Sequence, residues 1–229
     1  SDIDGLAVAT GMPAAAVRTA FEGYTDLRDG PREFAVCTGT SCWLAGAADV
    51  VAGLDPARYR CVNCLGHCDA GPATLDLGGD VRGPSGVCIE APPRCLAPEA
   101  IVTGRLDVAR DLDAARAAGV WSLVAAARDQ GADVLRAVED SRLRGRGGAA
   151  FPTGEKWRAA ADAPGEERFV IANGDEGDPG SFVDRLLMER DPHGVLEGLA
   201  LCALAVGARQ GIVFIRSEYP VAHVAMRRA

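Results

Sequence analysis

Gly145-Arg-Gly-Gly-Ala-Ala-Phe-Pro-Thr-Gly154, running on into Glu155-Lys156-Trp157, is the stretch on which the fold turns. Its glycines let the backbone take positive φ and bring amides close to an anion. Residues Glu155 to Ala163 read as a short helix, so a helix N-terminus follows the loop, and Lys156 adds a point charge. These are the parts of a phosphate cradle, with Gly145, Arg146, Gly147, Gly148 and Lys156 as its candidate members. The plainer alternative is a tight surface loop with a solvated arginine. A dinucleotide-binding βαβ turn fits less well, because it needs a strand before the loop. Here Val120, Leu123, Val124, Ala127, Val134, Leu135 and Val138 recur at steps that predict one helix over Val120 to Asp140.

Downstream, Phe169 to Ala172 reads as a strand, Ser181 to Arg190 as a helix, Val195 to Ala208 as a buried helix and Ile212 to Arg216 as a strand. Strands alternating with helices imply α/β layering. Between the first strand and its helix lies Asn173-Gly-Asp-Glu-Gly-Asp-Pro-Gly180, which sets Asp175, Glu176 and Asp178 within four positions. Like charges so close repel, and a donor-rich ligand relieves the repulsion. Ribose hydroxyls and ring imides are such donors. A solvated or cation-binding acidic turn is the alternative.

Upstream, the cysteines carry the chemistry. The chain has eight, and four of them form two tight pairs: Cys37 and Cys42 as C-x4-C, Cys64 and Cys68 as C-x3-C, with 21 residues between the pairs. Four soft thiolates on two loops suit one iron pair or one zinc, and spacing leaves both open. Free core cysteines, or a Cys61/Cys64 redox pair, are the alternatives. Cys61, Cys88, Cys95 and Cys202 have no such partners and are expected as small buried hydrophobes. Around the pairs, Arg32 to Val36 reads as a strand, Trp43 to Leu54 as a helix, and Tyr59 to Asn63 and Ala73 to Leu77 as strands. Gly78-Gly79 turns into a further strand, Asp80 to Arg82. Asp2 to Leu27 reads as two short helices broken at Gly11-Met-Pro13, and Leu106 to Ala118 as a linker with partial helix.

Composition bounds the function. Among 229 residues, 24 Lys and Arg face 32 Asp and Glu, a net charge of −8. That surface repels nucleic acid and anionic lipid. No apolar run reaches the roughly 18 to 20 residues that span a bilayer, so no direct membrane insertion is expected. The N-terminus lacks a charged-then-apolar secretory pattern, and a cytoplasmic location is the expectation. Only 12 residues are aromatic while 48% are hydrophobic, so aliphatic side chains must build the core.

Two resemblances sharpen this reading. Cys37-Thr-Gly-Thr-Ser-Cys42 and Cys64-Leu-Gly-His-Cys68-Asp-Ala-Gly-Pro72, with Thr10-Gly-Met-Pro13, Phe21 and Tyr24 ahead of them, resemble the thioredoxin-like [2Fe-2S] domain of the small NADH-dehydrogenase subunit of complex I. The resemblance implies that Cys37, Cys42, Cys64 and Cys68 ligate a [2Fe-2S] cluster and that Gly39 and Gly66 let the backbone pass close to it. The gap between the pairs is shorter than in that subunit, which implies a fused, trimmed domain. From Leu143 to Pro220, both loops, Asp184-Arg185 and Ile215-Arg-Ser-Glu-Tyr-Pro220 resemble the NADH-binding flavoprotein subunit of complex I. They also resemble its soluble relatives, the diaphorase subunits of NAD-reducing hydrogenases and NAD-dependent formate dehydrogenases.

This second resemblance implies that Gly145, Arg146, Gly147, Lys156, Asn173 and Asp175 hold FMN with Glu176 beside it. Gly148, Phe151 and Asp178 would face NAD(H), with Asp178 favouring it over NADP(H). Ala150 stands where glycine is usual. The implied architecture is a helical lead-in over 1–30, a thioredoxin-like [2Fe-2S] domain over 31–104, a linker and helix over 105–142, and the first part of an α/β FMN-binding domain over 143–229. The implied function is electron transfer between NAD(H), FMN and iron-sulphur clusters, with other subunits of a dehydrogenase complex as partners. A zinc-bound scaffold with a non-functional flavin site is the competing expectation. The relatives continue past the point matching Ala229, so a fragment that retains little FMN is also expected.

Overall fold

Alternating burial along short apolar runs organises the chain into two units, Ser1–Ile89 and Glu90–Ala229. The computed structural model describes residues 2–23, 32–89, 101–108, 111–130, 133–165 and 167–229. Tyr24 and Cys95, both singled out in the sequence, lie outside the described residues.

The first unit opens with helices α1 (Ile3–Thr10) and α2 (Ala14–Gly23). Asp2 starts α1 by accepting from the Gly5 amide at 2.8 Å, and Gly11 ends it at φ 66°, where any side chain would be strained. A four-stranded sheet follows, built from β1 (Phe34–Cys37), β2 (Tyr59–Val62), β3 (Thr74–Asp76) and β4 (Val81–Arg82). Its order is β2-β1-β3-β4, with β1 parallel to β2, antiparallel to β3, and β3 antiparallel to β4. The central strand β1 is buried over Ala35, Val36 and Cys37, as a strand covered on both faces must be. Between β1 and β2 the expected single helix is two, α3 (Thr40–Leu44) and α4 (Ala47–Ala52), because Gly46 sits between them at φ 97°. Cys42, Ala47, Val62, Leu65, Ala73, Leu75 and Val81 complete the core.

The second unit runs α5 (Leu112–Ala117), α6 (Ser122–Gln130), α7 (Val134–Ser141), α8 (Thr153–Asp162), β5 (Phe169–Gly174), α9 (Val183–Arg190), α10 (Pro192–Val206), β6 (Gln210–Ile215) and α11 (Pro220–Arg228). The helix expected over Val120 to Asp140 is therefore split. Trp121 stands outside α6 at φ 76°, and Asp133 starts α7 anew by accepting from the Arg136 amide at 2.9 Å. Strands β5 and β6 pair in parallel, Phe169 opposite Gln210 through Gly174 opposite Ile215, and the crossover between them consists of α9 and α10. Helix α10 is only partly buried; Leu204 is exposed. Its buried carboxylates are paired, Asp191 lying 3.2 Å from Arg105 and Glu197 accepting from the Trp121 amide at 2.7 Å. Among the described residues no helix is long and apolar enough to cross a membrane.

Candidate functional site

Parallel pairing of β1 with β2 sets Cys37 opposite Val62, at the ends of the two strands. Cys37 closes β1 and Cys42 follows one turn on in α3. Cys64 comes two residues after β2, and Cys68 lies in the loop beyond it. The topology thus gathers all four predicted ligands at one end of the sheet. Cys37, Cys42 and Cys64 are buried and Cys68 is half-buried. Their sulphurs form a string: Cys42 bonds Cys37, Cys37 bonds Cys64, and the Cys64 and Cys68 Sγ atoms lie 3.5 Å apart.

Backbone amides are aimed at three of the four sulphurs. The amides of Gly39 and Leu65 donate to Cys37, that of Ala73 to Cys42, and that of Gly66 to Cys64 at 3.3 Å. Such donors stabilise the ionised form. The hydrogen bond from Cys37 lowers the Cys42 thiol to about 7, while the same contacts push Cys37 and Cys64 upward. A donor set of three buried thiols and one half-buried thiol, with amides aimed at three of them, fits an iron-sulphur cluster. Among the described residues, no three or more His, Cys, Asp or Glu side chains gather as a single metal-ion site.

Glycine is needed here at two places. Gly66 sits at φ 73°. Gly71, which sequence reasoning passed over, lies so close to Cys42 that an added Cβ would stand 2.7 Å from its sulphur. Gly39 takes φ −60° and ψ 161°, an ordinary extended conformation, so its contribution is its amide. Three of the other cysteines are not the buried hydrophobes expected. Cys61 is exposed because alternation on β2 turns Val62 inward and Cys61 outward, and Cys88 and Cys202 are half-buried.

In the second unit the glycine loop is pinched at its neck. The Gly145 amide donates to the Phe151 carbonyl at 2.8 Å and the Thr153 amide to the Leu143 carbonyl at 2.8 Å. The Arg144 guanidinium donates to the Ala150 carbonyl at 2.9 Å. Residues 146–150 stand out from this neck, all exposed, and α8 begins directly behind them. Gly148 is at φ 109° and Ala150 at φ 48°, so the alanine occupies a left-handed position that glycine would fill without strain. Nothing lies within 4 Å of where a Gly147 or Gly148 side chain would be, which leaves room for a ligand against the backbone. Phe151 and Lys156 are exposed, and Lys156 is near enough to Cys202 of α10 to offset the upward push that burial gives that thiol.

The acidic loop leaves the C-terminal end of β5, and Arg216 to Tyr219 leave the matching end of β6. Carboxyl ends of parallel strands are where α/β folds place ligands. Within the loop the three carboxylates divide. Glu176 is buried: its Oε1 accepts from the Ser181 hydroxyl and the Val183 amide, each at 2.8 Å, and its Oε2 from the Arg185 amide at 3.2 Å. It therefore caps the first turn of α9. Asn173 accepts from the Asp175 amide at 3.0 Å and fixes the turn. Asp175 and Asp178 point outward and are exposed. Burial and the neighbouring Glu176 raise the carboxyl of half-buried Asp184.

Residues 138–229 match the family model of the Nuo51 FMN-binding domain. That segment is similar to this family. Among its relatives are an NADH-quinone oxidoreductase subunit of Rhizobium meliloti, 50% identical over 97 residues, and the alpha subunit of the NAD-reducing hydrogenase HoxS of Cupriavidus necator, 54% identical over 86 residues. These matches take in 42% and 38% of this chain but only 23% and 14% of the relatives, so the chain spans a minor part of their length. The crystal structure of an NAD+-reducing [NiFe]-hydrogenase in its air-oxidised state superposes on 99% of this chain with TM-score 0.67 at 26% identity, using 46% of the hydrogenase chain. The α/β fold of this chain is thus similar to that of part of this hydrogenase chain. The Nuo51-type match bears out the flavoprotein resemblance drawn from the two loops.

Proposed function

We propose that the chain is part of an electron-transfer flavoprotein subunit. It would pass electrons between NAD(H), FMN and a [2Fe-2S] cluster within a larger, cytoplasmic NAD-dependent dehydrogenase complex of hydrogenase, formate dehydrogenase or complex I type. The observation that carries this is the coexistence, in one chain, of four gathered thiols and a Nuo51 FMN-binding segment with both of its ligand loops exposed. The sheet order β2-β1-β3-β4 supports the thioredoxin-like reading of the first unit.

In this reading Cys37, Cys42, Cys64 and Cys68 would hold the cluster between them. The amides of Gly39, Leu65, Gly66 and Ala73 stabilise thiolate charge. In the second unit, the backbone of Gly145 and Gly147 would admit the flavin phosphate, with Arg146 and Lys156 supplying countercharge. Asn173 and Asp175 would complete the contacts to the flavin, while Gly148, Phe151 and Asp178 would face the nicotinamide nucleotide. Glu176 sits beside them and fixes the loop rather than the ligand. When bound, the flavin converts hydride transfer into single-electron steps that a cluster can accept. No side chain of this chain need act as a general base.

The competing scaffold reading requires zinc in place of iron and sulphide. Metal, acid-labile sulphide and flavin analysis of the purified complex containing this chain separates the two. Iron and sulphide in equal amounts, with a reddish-brown colour that dithionite bleaches, support the proposal. Stoichiometric zinc with no sulphide overturns it.

A further inference from the structure

The backbone of Glu176 is held as firmly as its side chain. Its carbonyl accepts from Arg216 Nη1 at 2.7 Å and from the Tyr219 hydroxyl at 3.0 Å, so two donors from one segment after β6 converge on the middle of the acidic loop. Arg216 is itself anchored: its Nε donates to Glu218 Oε2 at 3.0 Å, and its Nη2 lies 2.9 Å from Glu218 Oε1. Its guanidinium also lies over the Tyr219 ring, 5.2 Å from the centroid. Tyr219 is 1% exposed and packs against Met188 and Ala222. A planar fork gripped on one edge by a carboxylate leaves its other edge aimed in a set direction, which a lysine cannot imitate.

Asp175 and Asp178 flank this fixed point, and among the described residues neither carboxylate makes a hydrogen bond or ion pair. A loop that keeps its middle residue clamped at both carboxylate and carbonyl, and its two neighbouring carboxylates outward, has its orientation set before any ligand arrives. Pre-set orientation removes an ordering cost from binding and from the reacting geometry. We infer that Arg216 and Tyr219 are positioning residues for the nicotinamide nucleotide. They latch the Glu176 carbonyl so that Asp175 and Asp178 meet the ligand in one orientation. The inference rests on the NAD(H)- and FMN-binding reading above.

The test uses the complete flavin-loaded complex carrying Tyr219→Phe, Arg216→Lys or Arg216→Gln. Tyr219→Phe deletes one donor and keeps the packed ring. It should lower kcat/KM for NADH by about tenfold, the scale of one lost hydrogen bond to a buried carbonyl. Flavin content and reduction by dithionite should stay at wild-type values. Arg216→Lys should be as impaired as Arg216→Gln, since charge without the fork does not latch. Flavin lost in proportion to activity in Tyr219→Phe would overturn the inference, because the segment would then serve the fold or the flavin pocket. So would NADH kinetics within twofold of wild type in Tyr219→Phe. Should the Arg216 variants fold poorly, Tyr219→Phe alone decides. A wild-type complex whose bound flavin NADH does not reduce would refute the underlying reading instead.

Discussion

At the scale of single residues, the cysteine site separates what spacing reveals from what only proximity reveals. Cys37, Cys42, Cys64 and Cys68 are legible as a set because two short-spaced pairs of thiols are hard to explain as packing. Replacing Cys64 by Ser should abolish the electron paramagnetic resonance signal of the reduced cluster, and replacing Cys202 should leave it intact. An unchanged signal in the Cys64 variant would remove that residue from the ligand set. Gly71 could not be read in the same way, since its need for glycine comes from Cys42, a residue remote in sequence whose sulphur would stand 2.7 Å from an added Cβ. Gly71→Ala should therefore displace Cys42 and lower iron content, whereas Gly39→Ala, at an unstrained φ of −60°, should retain full iron. Equal iron in both variants would contradict the crowding argument. Ala150 was conspicuous as a departure from glycine, but its left-handed φ of 48° is a fact of the folded loop alone.

Elements were more legible than their boundaries. The strands and helices around both loops follow the apolar periodicity, yet the run from Val120 to Asp140 reads as one helix because its heptad-like spacing continues through the break. The new start is made by the capping carboxylate of Asp133, while the left-handed Trp121 trims the beginning of the run; neither disturbs the pattern of apolar positions. Helix α7 meets α8 at Gly154, where an added Cβ would lie 2.7 Å from the Glu139 Cα. Gly154→Ala should cost about 1–3 kcal/mol in chemical denaturation, as overpacking of a backbone contact does. A loss below the error of the measurement would mean that the two helices can part.

The latch after β6 has a pH signature. Burial raises the Glu218 carboxyl, but the hydrogen bonds and charge of Arg216 outweigh it and leave it below its ordinary 4.5. A depressed carboxyl contributes stability that is present above about 4.5 and is lost as pH falls through the folded value. Asp184 acts in the opposite sense: it is raised above its ordinary 3.8, and its contribution is lost as pH climbs from there through the folded value. Melting curves between about pH 3 and 6 should show Glu218→Gln flattening the acid limb and Asp184→Asn removing the decline above it. Acid limbs of equal slope in wild type and Glu218→Gln would show that the Arg216 pair carries no stability.

Across the molecule, the first unit carries four thiols at one end of its sheet, and the second carries the glycine loop before α8 and the acidic loop after β5. The class of chemistry was visible in the sequence because glycine loops, acidic loops and thiol pairs are dense in unusual residues. The division of labour inside the acidic loop was not. Asp175, Glu176 and Asp178 look alike in sequence, and only the folded chain shows Glu176 turned inward onto three donors while its neighbours face out. The central claim is that these parts form one electron path from a nicotinamide nucleotide, and an anaerobic NADH titration of the flavin-loaded complex followed by visible absorption tests it most directly. The account predicts that NADH in excess over the flavin bleaches the flavin band and that the cluster absorbance falls with it, as it does with dithionite. A spectrum that dithionite bleaches and excess NADH leaves unchanged would contradict the account.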